Sequence, residues 1–166
     1  MVHEHLSMTF DVAYTAPKES DLPKSTQPIR MDNLGWIRYN PYSHRPNLKL
    51  NDTDCEEAIA QELLQYRALG GGCIVECTTH GIQRKAPFLR QLSRQTGVNI
   101  VAGAGYYVAA SQSTSVLAQS VETMASSIRA EIVDHCAEAT DIRCGLIGEI
   151  GCSWPLHGNT SGRGDG

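Results

Sequence analysis

The sequence predicts an α/β fold of parallel βα units, and three observations carry that prediction. Short apolar runs over residues 71–78, 98–103 and 144–151 read as strands, because β-branched and leucine side chains suit a sheet covered on both faces. Between them lie segments with apolar residues at helical spacing, opened by capping residues or proline. Strand and helix alternate, the order that builds a parallel sheet with right-handed crossovers.

Taken in order, the chain opens on His3, Glu4 and His5. In a strand, residues i and i+2 share a face, so His3 and His5 can offer both imidazoles to one metal ion while Glu4 turns away. Spacing alone equally suits two solvated histidines on a mobile N-terminus. Residues 6–51 are polar, irregular and punctuated by Pro17, Pro23, Pro28, Pro41 and Pro46. Structureless connections beyond about 15 residues are uncommon, so a functional loop or lid with a short helix over residues 32–39 is expected. Trp36, Ile37, Tyr39 and Tyr42 would anchor that loop or cover a pocket.

Thr53 with Glu56 suggests a capping box, after which Ile59, Leu63 and Tyr66 form the packed face of a helix that Gly70 ends. Gly71 and Gly72 permit a sharp turn into the next strand. Thr78, Thr79, His80 and Gly81 stand where that strand gives way to a loop, which makes His80 a candidate substrate contact. Pro87, Phe88, Leu92 and Gly97 mark another helix. Gly103, Ala104 and Gly105 begin like a dinucleotide fingerprint, but Val108 occupies the third glycine's place and excludes it. Tyr106 and Tyr107 can instead line a pocket mouth. Ser120 caps a helix whose stripe of Val121, Met124, Ile128 and Ile132 is expected to face the sheet.

The last strand, residues 144–151, holds Glu149. A carboxylate among apolar neighbours loses hydration worth roughly several kcal/mol unless a cation or donors compensate it. A metal held by His3 and His5 is the cation the sequence offers. In parallel βα folds the chemistry collects at the C-terminal ends of the strands. His3, His5, Thr78, Thr79, Gly105, Tyr106 and Glu149 all fall at or just beyond such ends.

Composition narrows the function classes. The 166 residues, 41% hydrophobic and 19% charged, suffice for one domain with a core. A net charge of −4 and a pI near 5.8 give no electrostatic footprint for nucleic acid or an anionic membrane. No apolar run nears the roughly 20 residues of a membrane span and no leader opens the chain, so a cytoplasmic location is expected. In that setting the six cysteines are expected to be reduced and buried. Cys73 and Cys77 would lie about 13 Å apart in a strand, too far for one tetrahedral site. The Asn51–Thr53 and Asn159–Ser161 sequons and the Arg163-Gly164-Asp165 tripeptide carry no consequence there.

The opening His3, Glu4, His5 and Leu6, residues 70–79, residues 98–107 and above all residues 145–156 resemble the phosphotriesterase-related proteins of the amidohydrolase superfamily. The resemblance covers residues 3–156. It implies a truncated (β/α)8 TIM barrel of roughly the first four βα units, residues 1–156 being the N-terminal half of a metal-dependent hydrolase barrel and residues 157–166 a flexible divergent tail. It also implies two divalent metal cations, zinc, at the barrel mouth. His3 and His5 would be ligands of one, and Glu149 the carboxylate bridging both, a place held in bacterial phosphotriesterases by a carbamylated lysine. The implied reaction is cleavage of amide bonds of small N-acyl compounds such as N-acetyltaurine by a metal-bound hydroxide.

A complete barrel typically takes about 250 residues. The later histidines and aspartate of the family do not follow Glu149, after which His157 is the one histidine left. The alternative reading is therefore a catalytically inactive truncated fragment or isoform acting as an interaction module, self-associating through an open sheet edge.

Overall fold

The computed structural model describes residues 1–154. The end of the 145–156 motif, the 157–166 tail with His157, and the tail's sequon and tripeptide lie outside the described residues. Three strands, β1 (Cys73–Glu76), β2 (Asn99–Ala104) and β3 (Leu146–Ile147), form a parallel sheet in the order β1-β2-β3. Cys73 pairs with Asn99 and Glu76 with Ala102, while Gly103 pairs with Leu146 and Ala104 with Ile147.

The histidine segment is not a full strand, yet it occupies a strand's place beside β1. The Val75 N–H donates to the Met1 carbonyl at 3.0 Å and the Cys77 N–H to that of Glu4 at 2.9 Å, around a single parallel bridge between Glu4 and Glu76. Four segments thus run side by side in chain order. β3 is much shorter than the expected 144–151 run; Gly145 and Gly148 still donate to the Ala102 and Ala104 carbonyls on either side of it, and from Glu149 on the backbone bonds to the Cys77 carbonyl instead of β2.

Helices α1 (Leu34–Tyr39), α2 (Thr53–Ala68), α3 (Ala86–Thr96), α4 (Thr114–Leu117) and α5 (Val121–Val133) separate these segments among the described residues. Leu63 of α2 and Leu89 and Leu92 of α3 pack with Ile74, Val98, Ala102 and Ala104 of the sheet region. Pro87 lies in the first turn of α3, and Gly97 ends it in the left-handed conformation, φ 71°. Ser120 caps α5 by accepting the Thr123 N–H. The expected Thr53–Glu56 capping box does not form. Asp52 is the cap, accepting the Cys55 N–H at 2.8 Å, and Glu56 pairs instead with Lys85 at 2.6 Å.

The α5 stripe also departs from expectation. Ile128 and Ile132 pack against the core, but Val121 is exposed and, with Met124, lines an apolar cleft outside it. The long 6–51 segment is structured by short 3-10 turns and α1. Its anchors are Ile37 and the fully buried His44, which accepts the Asn47 N–H at Nδ1 and therefore donates from Nε2 to the Gln27 carbonyl at 2.8 Å. Tyr39 and Tyr42 are exposed. All six cysteines are free; Cys77, Cys136 and Cys144 are buried as expected, whereas Cys73 and Cys152 are exposed.

A buried ionic network ties the sheet to α5. Arg84 donates to the Gly103 carbonyl at 2.7 Å, to both oxygens of Glu131 at 3.1 and 2.6 Å, and to both of Glu138 at 2.7 Å. His80 adds a 2.9 Å contact to Glu131. Burial on its own would raise the Glu131 carboxyl, but the hydrogen bonds from His80 and Arg84 outweigh it and hold the group at about 2, against an ordinary 4.5. The unfolded chain therefore takes up this proton first on acidification, so the stabilisation is complete above about pH 4.5 and is lost as the pH falls toward about 2. Glu131→Gln, which strands Arg84 with part of its partners gone, is expected to cost about 3 kcal/mol and to flatten that acid limb, as read from urea unfolding at a series of pH values.

Candidate metal centre

The site forms where the histidine segment meets the end of β3. Ligand atoms of His3, His5 and Glu149 lie within 4.8 Å of one another. His3 Nε2 is 3.0 Å from Glu149 Oε1 and 3.3 Å from His5 Nε2, and His5 Nε2 is 3.5 Å from the same carboxylate oxygen. Residues separated by 146 positions thus converge on one point. Glu4 turns aside, its carboxylate accepting the backbone N–H of His5.

Glu149 reaches that point through a close backbone crossing. A Cβ on Gly103 would lie 2.9 Å from the Gly148 Cα, and one on Gly148 would lie 2.9 Å from the Cys77 carbonyl oxygen and from Thr79 Cγ2. Only hydrogen atoms fit there. The chain beyond β3 therefore leans across β2, and the Glu149 N–H donates to the Cys77 carbonyl at 3.2 Å while the Thr79 hydroxyl donates to the Glu149 carbonyl at 2.9 Å. These bonds fix the backbone on both sides of the Glu149 side chain.

This arrangement corrects one premise of the sequence analysis. Glu149 is not in the middle of a buried strand; it follows β3, and its side chain is partly exposed. The fully buried strand carboxylate is Glu76. Among the described residues no cation is bonded to it, and Arg84 acts on it only through space. Instead it accepts the Leu6 N–H and the Thr78 hydroxyl at Oε1 and the Thr78 N–H at Oε2. Burial nevertheless wins over these hydrogen bonds and pushes the carboxyl up to about 7. Thr78 in turn stands 2.9 Å from His5 Nδ1, so Glu76 supports the site from beneath. The signal for this pair was present in the sequence: Ile74, Glu76 and Thr78 alternate along one face of a strand.

The other candidates divide. His80 is not part of the cluster; its imidazole is bonded to Glu131 and packs beside the Tyr106 ring. Tyr106 and Tyr107 line an apolar cleft of about 610 Å³ with Met124, Ile128 and Ile150, the last adjoining Glu149 in the chain. Burial first, then the negative charge of Glu149, raises the Tyr107 phenol, so it remains a hydroxyl donor at neutral pH.

A family model described as the phosphotriesterase family matches residues 1–162. The chain belongs to the phosphotriesterase family. Curated relatives include the N-acetyltaurine hydrolases of Rattus norvegicus and Homo sapiens, each 50% identical over 156 residues, covering 94% of this chain and 44% of theirs. The chain thus spans less than half the length of the curated relatives it matches. Among solved structures, a resiniferatoxin-binding protein from Rhodobacter sphaeroides is 34% identical with a TM-score of 0.88, over 96% of this chain and 44% of that one. A phosphotriesterase homology protein from Escherichia coli, complexed with phosphate in its active site, is 25% identical with a TM-score of 0.65, over 92% and 41%.

The α/β architecture is accordingly that of a truncated phosphotriesterase-family TIM barrel, its parallel segments following one another in barrel order. Within this family fold the Gly103–Gly148 crossing explains why the strand before Glu149 stops after two residues. Gly148→Ala is expected to cost about 1–3 kcal/mol through overpacking against backbone. Ile147→Ala, one position earlier but 57% exposed, should change stability by less than about 0.5 kcal/mol. Equal losses in urea unfolding would remove the crossing as the cause.

Proposed function

We propose that this chain supplies His3, His5 and Glu149 to the metal centre of a hydrolase acting on small N-acyl compounds, with N-acetyltaurine as the leading substrate. The observation that carries the reading is the convergence of two imidazole nitrogens and a carboxylate oxygen from opposite ends of the chain. Ligands about 2.0–2.1 Å from a tetrahedral zinc sit roughly 3.3–3.4 Å apart, and zinc takes this mixture of nitrogen and oxygen donors. The contacts of 3.0, 3.3 and 3.5 Å fit that set without rearrangement. The names of the curated relatives support the substrate class.

A divalent cation there supplies Lewis acidity and a nucleophile at neutral pH, and a pair of cations sharing Glu149 would supply both at once. The chain's own residues would do the rest. His3 and His5 orient the cation, and the carboxylate balances its charge. The cleft lined by Tyr106, Tyr107 and Ile150, next in the chain to Glu149, would accept the apolar part of a substrate.

A second reading, favoured by the exposed Ile147, Ile150 and Trp154 around β3, is a chain without catalysis of its own that pairs with a second copy through the β3 edge. None of the described helices is long and apolar enough to cross a membrane, so that surface is not assigned to a bilayer-spanning helix.

Zinc titration by calorimetry tests the first reading. Binding is expected for the full chain, with a loss of at least about 100-fold in each of His3→Ala, His5→Ala and Glu149→Ala and none in His80→Ala. Equal affinity in all variants would refute the centre. Sedimentation tests the second: self-association that Ile147→Lys abolishes is expected, and a monomer at all concentrations would end it.

A further inference from the structure

We propose that Thr78, itself held by Glu76, is a positioning residue that fixes the tautomer of His5, keeping the proton on Nδ1 and the bare Nε2 lone pair toward His3 and Glu149. A threonine hydroxyl carries one hydrogen and can otherwise only accept. The Thr78 Oγ1 lies 2.5 Å from Glu76 Oε1 and 2.9 Å from His5 Nδ1. In its ionised form Glu76 can only accept, taking the Leu6 N–H and the Thr78 hydroxyl at Oε1 and the Thr78 N–H at Oε2. Thr78 then has only lone pairs left for His5, and the imidazole must donate from Nδ1.

A neutral imidazole has a single N–H, so Nε2 is left as a lone pair. It is this atom that stands 3.3 Å from His3 Nε2 and 3.5 Å from Glu149 Oε1. Glu4 does not compete for the ring, because its carboxylate is engaged with the His5 backbone N–H. Thr78 and Glu76 are fully buried, so no solvent rearranges the chain of hydrogen bonds. The pattern is a carboxylate–hydroxyl–imidazole relay behind a ligand, and outer partners of this kind hold ring orientation and raise ligand basicity. Among the described residues His3 has no such support, its ring meeting His5 and Glu149. The two histidines are therefore inequivalent, His5 pre-set and His3 adaptable.

The consequence for affinity rests on the metal-centre reading above, whereas the tautomer itself does not. The test is ¹⁵N NMR of the histidine rings in the full, metal-free chain at a pH above histidine titration. The wild type and Thr78→Ser, which keeps the hydroxyl, are expected to show His5 protonated at Nδ1 with a pyridine-like Nε2. Thr78→Val, close in shape but without the oxygen, is expected to show a mixture. An Nε2-protonated His5 in the wild type overturns the proposal and needs no variant to fold. An unchanged tautomer in a folded Thr78→Val overturns it as well. In zinc titrations of the same samples, Thr78→Val should bind roughly 10–100-fold more weakly and Thr78→Ser as the wild type. If the tautomers behave as expected while no sample binds zinc, the positioning role stands and the metal-centre reading falls.

Discussion

Where Gly103 and Gly148 meet, two backbones approach more closely than any side chain allows, and the location of Glu149 follows from that contact. The crossing carries the chain after β3 over β2 to the Cys77 carbonyl, next to the segment that bears the histidines. A side chain at either glycine would push the carboxylate outward along the line of β3. Conformational freedom is not what these glycines contribute, since neither has a positive φ. Their contribution is absence of volume.

The molecule handles its buried charges in two different ways. On the α5 side Arg84 faces two carboxylates, and the ionic network stays ionised because each group finds an opposite charge and good hydrogen bonds. Beneath the histidines Glu76 has donors but no direct cationic partner, and burial shifts it toward the neutral form. The first arrangement joins sheet to helix. The second sits next to the only cluster among the described residues able to hold a metal, where a nearby positive charge would favour the ionised carboxylate.

Much of this architecture was legible in the sequence because it depends on local periodicity. The first two apolar runs, the Pro87 and Ser120 helix starts and the Gly97 stop lie close to where the structure has them, since each is decided within a few residues. The approach of His3, His5 and Glu149 could be read from strand-end logic and family motifs. The supports could not. Asp52 displaced Thr53 as a cap because Glu56 had a better partner in Lys85, 29 positions away. Arg84, Glu131 and Glu138 show no spacing that marks them as partners, and the Val121–Met124 stripe could not announce that it faces a cleft. Glu76 is the less conspicuous carboxylate for another reason: it stands between Val75 and Cys77 in a run that ends in two threonines, whereas Glu149 is flanked by isoleucines and glycines.

The distance in chain between His3 and Glu149 also governs when the site can exist. During synthesis the carboxylate partner of His3 follows it by 146 residues. At ribosomal rates of about 5–20 residues per second, the imidazoles wait roughly 7–30 s before the constellation can close. Until then His5 can already be seated on Thr78, which precedes Glu149 in the chain. The nascent protein thus passes through an interval with one ring locked in place before Glu149 can reach it.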